Sequence, residues 1–205
     1  MTFSGFEAKD FDTFTIEGLD ERMEAIQKRI QPKFKQISEE IISDLEEAVG
    51  QDMYLHIARH ARRTVNPPKD TWSAYAHNKR GYKKHPHFQV GLWHDHVFVW
   101  LAYIYELPHK SEIAKKFLDE IDDIKSTVPV DYQVSLDHME NKAESLKHIN
   151  LEKALQRFQN VKKGEFLIGR QFKADDPILR DGKVFIQEVK DIIQTLAPLY
   201  KSSLL

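Results

Sequence analysis

Between Met53 and Trp93 the chain gathers eight basic residues (Arg59, Arg62, Arg63, Lys69, Lys79, Arg80, Lys83 and Lys84) against one acid, Asp70, for a local charge of +7. Five histidines, His56, His60, His77, His85 and His87, share this stretch, and His94 and His96 follow at once. Tyr54, Trp72, Tyr75, Tyr82, Phe88 and Trp93 are interleaved with them. Guanidinium, ammonium and imidazole groups beside aromatic faces suit a ligand that carries phosphate and a flat ring. A single surface lysine is merely solvated, but a segment this lopsided concentrates a field. The expectation is therefore an anion-binding segment over 53–96, its partner a phosphate-bearing small molecule or a nucleic acid. Arg62, Arg63, Arg80 and Lys83 are the phosphate contacts, Trp72 or Tyr82 the stacking surface, and Asn66 a positioned amide. An alternative from a different class is a small-molecule enzyme in which His60, His87 or His96 moves a proton and the arginines anchor the substrate. A third is a structural or regulatory protein without a ligand, whose arginines brace the Asn66-Pro67-Pro68 loop.

Other chemistries find less support. His56 and His60 stand four apart, as two zinc ligands on one helical turn would, but Ile57 occupies the place of the glutamate base that follows the first ligand in such proteases. His85-Pro-His87 and His94-Asp-His96 pair imidazoles at i and i+2, a spacing that serves turns and backbone hydrogen bonds more often than metals. No metal site and no cofactor are expected. The eight glycines are spread singly, with no phosphate-cradling loop and no nucleophile elbow. The chain has no Cys, which removes disulfides, thiolate metal sites and a cysteine nucleophile. Asp175 and Asp176 read as turn residues before Pro177.

These residues need elements to hold them. Met23, Ile26, Ile30, Phe34, Ile37, Ile41, Leu45 and Val49 step by three or four and draw one apolar stripe on a helix, with Asp20 as its cap and Gly50 as its end. Pro32 falls inside the stripe and predicts two helices or one kinked helix. Before it, 6–14 reads as a short helical turn, and Phe14 to Ile16 as extended chain. Strands are expected at 53–57, 71–76, 88–93, 97–105, 130–136 and 166–172, the third and fourth as an antiparallel pair around His94-Asp95-His96. Val97 to Tyr105 is apolar on both faces, the mark of a central strand. Ser111 and Asn150 are expected to cap helices, and a last helix runs from Gly182 to Ala197 with Val184 among its inward residues.

In 205 residues, 41% of them hydrophobic and 30% charged, this pattern describes one globular α+β domain over 1–205. Its mostly antiparallel sheet is covered by helices, with a long kinked N-terminal helix pair and a C-terminal helix. No apolar run approaches the roughly 20 residues of a membrane span. The opening Met-Thr-Phe-Ser lacks a basic start and apolar block, so a cytoplasmic protein is expected. The chain has 30 basic and 32 acidic residues, so outside 53–93 it carries 22 bases and 31 acids, or −9. The formal net charge of −2 thus conceals two opposed fields.

His60-Ala-Arg-Arg-Thr-Val-Asn-Pro-Pro68, Asp70-Thr-Trp72, Lys79-Arg-Gly-Tyr-Lys83, Pro86-His-Phe-Gln89 and His96-Val-Phe98 resemble the YktB-like proteins of low-GC Gram-positive bacteria. The likeness extends to Phe3 to Phe6, Arg29 to Phe34 and Asp175 to Leu179, nearly the whole chain. It implies a single α+β domain and brings no activity, substrate or catalytic residue with it.

Overall fold

A computed structural model describes residues 2–204; Met1 and Leu205 lie outside the described residues. The elements in chain order are α1 (Ala8–Asp12), α2 (Leu19–Ala25), α3 (Gln31–Val49), β1 (Tyr54–Ile57), β2 (Asp70–Ala76), β3 (His87–Trp93) and β4 (His96–Tyr103). They continue with α4 (Lys110–Asp119), α5 (Ile121–Thr127), β5 (Gln133–Ser135), β6 (Glu144–Ser145), α6 (Leu151–Asn160), β7 (Phe166–Lys173) and α7 (Gly182–Ser202). The strands form one antiparallel sheet in the order β1-β2-β3-β4-β7-β5-β6. This is the α+β architecture expected. β4 is central and buried along its whole length, as its two-sided apolarity requires.

Period-two alternation gives the sheet two unlike faces. Tyr75, Phe88, Val90, Leu92, Val97, Val99, Leu101, Tyr103, Phe166 and Ile168 face the helices and join the main core with residues of α3, α4, α6 and α7. The alternate residues, Trp72, Ala74, Trp93, Phe98, Trp100, Ala102 and Leu167, form a second, aromatic cluster on the opposite face. Helices therefore cover one face only. Over the other lie the chain connections 58–69, 77–86 and 136–143, which line the spaces above it.

The break at Pro32 takes a specific form. Proline has no N–H to return to the carbonyl four residues back. The chain opens into a single π-helical turn, Ile26–Ile30, in which the Gln31 N–H reaches the Ile26 carbonyl five residues back. The apolar stripe continues across it, with Ile26, Ile30, Phe34, Ile37, Ile41 and Leu45 all buried. Gly50 closes α3 with a left-handed φ of 77°, a conformation open to glycine at little cost. Lys110 on α4 donates to the carbonyls of Phe158 (2.7 Å), Val161 (2.6 Å) and Gly164 (3.1 Å), placing a positive charge on the C-terminal end of α6.

Several boundaries differ from expectation. Residue 18, not Asp20, caps α2, because Gly18 takes a φ of 88° that turns the chain into the helix. Thr13–Thr15 is a 3-10 turn rather than extended chain. α4 begins before Ser111: its cap is His109 in a left-handed conformation. β5 is shorter than 130–136, and Val130 is exposed. β4 ends at Tyr103, two residues short of the apolar run. Val184 is exposed, because α7 turns Phe185, Val189, Ile192 and Leu196 to the core. α7 also continues beyond Ala197 through Pro198 to Ser202. Asn150 does cap α6, its side chain accepting from the Lys153 N–H at 2.9 Å.

Gly91 lies opposite Phe98 across β3 and β4 and opposite Trp72 across β2 and β3. A Cβ there would come within 2.6 Å of both the Thr71 carbonyl oxygen and the Trp72 Cβ. Gly91→Ala should therefore cost about 2 kcal/mol of stability, read as a lower urea midpoint with an unchanged slope.

Candidate functional site

On the face without helices lies a broad open cleft of about 1130 Å³. The β1–β2 connection supplies Arg59, His60, Arg62 and Arg63 to its walls, and the β2–β3 connection supplies Lys79, Arg80, Tyr82, Lys83 and Lys84. Of the seven lysines and arginines lining it, only Lys83 meets a carboxylate among the described residues, Glu106 at 3.3 Å. Arg22, buried beside the cleft, holds the connection in place: its Nε donates to the Ile16 carbonyl (2.8 Å) and its Nη1 to the Pro68 carbonyl (2.9 Å).

The floor is different in character. Asp70, Trp72 and His138 line both the cleft and a small cavity beneath it, in which about 10 Å³ is open to the centre of a water-sized group. Trp72 is fixed by its indole N–H, which donates to the Tyr82 hydroxyl at 3.1 Å. Burial in turn pushes the Tyr82 hydroxyl up to about 12. His60, held with a φ of 49°, sets its ring edge-on to Trp72 and its Nε2 3.1 Å from the Thr71 hydroxyl. Burial, reinforced by Arg63, lowers His60 to about 4, so it is neutral at physiological pH.

Asp70 is 2% exposed, and its Oδ2 has no hydrogen-bond partner among the described residues. Burial raises its pKa to about 7, against the pull of the nearby positive charges of His138 and Arg63. His138 is tied to Glu165, which is itself buried. The His138 backbone N–H donates to Oε2 at 2.8 Å, and Nδ1 lies 2.9 Å from each carboxylate oxygen. Burial works against the imidazolium, yet the Glu165 carboxylate, helped by Asp70, holds the pKa of His138 above its ordinary value. Asp137, His138 and Glu165 bring three ligand atoms within 4.8 Å of one another and are the one grouping among the described residues that could hold a metal ion. An Nδ1 that donates to Glu165 has no lone pair left for an ion, and only displacement of that proton would free it.

His87 and His96 stand apart from the cleft. His87 Nδ1 lies 2.8 Å from the His85 carbonyl, which can only accept, so Nδ1 carries the proton and Nε2 accepts from the Gln89 amide at 2.9 Å. Complete burial lowers His87 to about 3 and keeps it neutral. His96 repeats the arrangement, with Nδ1 on Asp95 Oδ1 at 2.8 Å and Nε2 accepting from the Gln171 amide at 2.9 Å. Its pKa is lowered by burial, although Asp95 opposes the shift. Each histidine is anchored through Nδ1 and uses Nε2 to orient a glutamine that lines the small cavity.

The structure thus brings His60, Arg62, Arg63, Trp72, Arg80, Tyr82 and Lys83 to one cleft. Asn66 lies outside it on the exposed loop, where its backbone carbonyl, not its amide, accepts weakly from Arg63 at 3.4 Å. Asp70, His138, Glu165, Gln89 and Gln171 were not among the expected site residues. Asp70 carried a signal, as the only acid of a basic segment. Gln89 and Gln171 carried another, as polar residues at alternate positions of apolar strands. Nothing local marked His138 or Glu165: Glu165 precedes β7, which pairs with β4, and His138 follows β5, which pairs with β7.

The family model described as a domain of unknown function, DUF1054, matches residues 6–200. The chain belongs to this family. It is 57% identical over 198 residues to a UPF0637 protein of Oceanobacillus iheyensis, covering 97% of this chain and 96% of that one. It is 52% identical over 204 residues to a UPF0637 protein of Shouchella clausii, covering 100% and 97%, and 50% identical to one of Listeria welshimeri over the full length of both. These low-GC Gram-positive sources agree with the YktB-like resemblance. No helix among the described residues is long and apolar enough to cross a membrane.

Ionised Asp70 is a burden on folding. Below its ordinary value of 3.8 it is protonated whether the chain is folded or not; as pH rises through the folded value of about 7, the unfolded chain releases the proton more readily and stability is lost. Asp70→Asn should raise the melting temperature at pH 8, a gain of about 1–3 kcal/mol, and the gain should vanish below pH 4. Calorimetric melts of both proteins from pH 4 to 8 check this.

Proposed function

We propose that the cleft binds a phosphate-bearing small molecule. The observation that carries this reading is the set of lysines and arginines around a concave space, all but Lys83 without a carboxylate partner among the described residues. Unpaired cations on low-dielectric walls focus a positive potential where an anion would sit. Arg62, Arg63 and Arg80 offer forked donors to phosphate oxygens, and Trp72, with Tyr82 bonded to its indole, offers an aromatic surface below them. Concavity and an aromatic floor favour a small ligand over a nucleic acid, whose backbone needs an extended groove.

Acid–base catalysis in the same cleft is a second reading, and one observation favours it: the Glu165–His138 pair beside Asp70 resembles a positioned proton carrier. In that case His138, rather than His60, His87 or His96, moves the proton. Its mark is release of inorganic phosphate from a panel of phosphate monoesters, lost in His138→Gln.

Isothermal titration with pyrophosphate tests the binding reading. The wild-type chain should bind it, and the Arg62→Ala, Arg80→Ala double variant should bind it at least tenfold more weakly, since each charge-assisted contact contributes about 1.5–3 kcal/mol. Absence of binding by the wild-type chain contradicts the proposal. Tight binding of single-stranded DNA with a steep salt dependence would replace the small ligand by a nucleic acid.

A further inference from the structure

The small cavity below the cleft has walls of two kinds. Trp72, Trp93, Phe98 and Trp100 present aromatic surface, and all four are buried. Of the polar residues that line it, His138 and the exposed Lys142 carry donors, while Asp70, Gln89, Gln171 and Ser135 bring acceptors. Asp70 Oδ2 is unpartnered. Because the amides of Gln89 and Gln171 donate to His87 and His96, the glutamines turn their carbonyl oxygens away from those histidines, and both residues line the cavity. The Ser135 hydroxyl spends its proton on the Asp137 carbonyl at 3.1 Å and keeps its lone pairs. The two flanking histidines, neutral and fully hydrogen-bonded, hold this polarity in place. Acceptors beside aromatic faces are complementary to a group that only donates and carries positive charge.

We propose that this cavity is an ammonium subsite, so that the ligand of the cleft is a phosphorylated primary amine, its phosphate on the arginine rim and its nitrogen on Asp70. The phosphate half rests on the reading of the cleft given above; the ammonium half rests on the cavity alone. The space fits. An ammonium group is the size of a water molecule, and the cavity admits one such group. Asp70, Trp72 and His138 are walls common to cleft and cavity, so one ligand can reach both. Charge also fits. The ionisable groups facing Asp70 are His138, Arg63 and the Tyr82 hydroxyl, with Glu140 and Lys142 exposed at the cavity edge and Glu165 behind His138. Glu165 balances His138, Glu140 and Lys142 are exposed to solvent and opposite in sign, and Arg63 belongs to the anion-binding rim, which leaves Asp70, with Oδ2 unpartnered among the described residues, as the buried charge of the cavity.

Isothermal titration of the full chain at pH 8 with three probes tests the inference: O-phosphoethanolamine, ethyl phosphate and ethylammonium chloride. O-phosphoethanolamine should bind at least tenfold more tightly than ethyl phosphate. Asp70→Asn should abolish that difference without weakening ethyl phosphate binding, since it removes only a negative charge from the cleft floor, and Gln171→Met, which removes an acceptor and keeps the carboxylate, should reduce the difference several-fold. The ratio of the two affinities, each corrected for the measured second ionisation of its own phosphate, should shrink towards pH 5, as Asp70 takes up its proton and His138 becomes charged. Equal binding of O-phosphoethanolamine and ethyl phosphate, with no binding of ethylammonium, overturns the ammonium subsite and leaves the anion cleft standing. Binding of ethylammonium that depends on Asp70, without binding of ethyl phosphate, supports the subsite and overturns the anion reading.

Discussion

A carboxyl group buried without a hydrogen-bond partner destabilises a fold by about 1–3 kcal/mol, and more once it ionises. Asp70 approaches this position, 2% exposed with Oδ2 unpartnered and only its own backbone N–H near the carboxylate as a donor among the described residues. It begins β2, opposite Trp93 in the register of the sheet, so the pairing that builds the sheet also forces the carboxyl under the connecting loops. The rest of the molecule is organised so that this placement holds. The helix-covered face supplies an apolar core from Phe3 to Tyr200, which leaves the second face free to carry costly groups. Arg22 ties the Pro68 carbonyl two residues before Asp70 and stops the loop from lifting.

The second face is unusual for the interior of a sheet because its polar residues are arranged in dependent pairs. His87 orients Gln89, His96 orients Gln171, and Glu165 orients His138. In the first two pairs the histidine is kept neutral by burial, which fixes the direction of each hydrogen bond. In the third the carboxylate favours the charged ring. The contrast follows from the partner: a carbonyl, an amide or the half-exposed Asp95 carboxylate lets desolvation win, whereas the buried Glu165 carboxylate does not. Around the small cavity positive charge is thereby confined to His138 and the exposed Lys142, and the remaining polar groups present acceptors.

The fold was largely readable because its signals are local. The stripe from Met23 to Val49, the left-handed Gly50, the two-sided apolarity of β4 and the Asn150 cap each depend on a few neighbouring residues. Failures came where longer-range packing chose among local options. His109 displaced Ser111 as a cap, and α7 rotated Val184 outward because Phe185 and Val189 already filled the core. The cleft was half readable. Its rim lies within one basic segment, and composition alone found Arg62, Arg63 and Arg80. Its floor combines Asp70 with His138 and Glu165 from beyond that segment, and only the sheet register joins them. Counting Asp70 as a minor subtraction from a basic segment missed its meaning, since an isolated acid among cations is informative when it is buried beside aromatic rings rather than solvated.

Asp70 is a desolvated carboxyl at the base of a basic cleft, with Oδ2 unpartnered among the described residues. Its side-chain carboxyl carbon, followed by 13C NMR from pH 3 to 9 and assigned through Asp70→Asn, measures this directly. The account predicts a midpoint near 7, where burial outweighs the neighbouring cations. A midpoint at the ordinary carboxylate value near 3.8 would mean that water or a protein donor satisfies the group, and would contradict it.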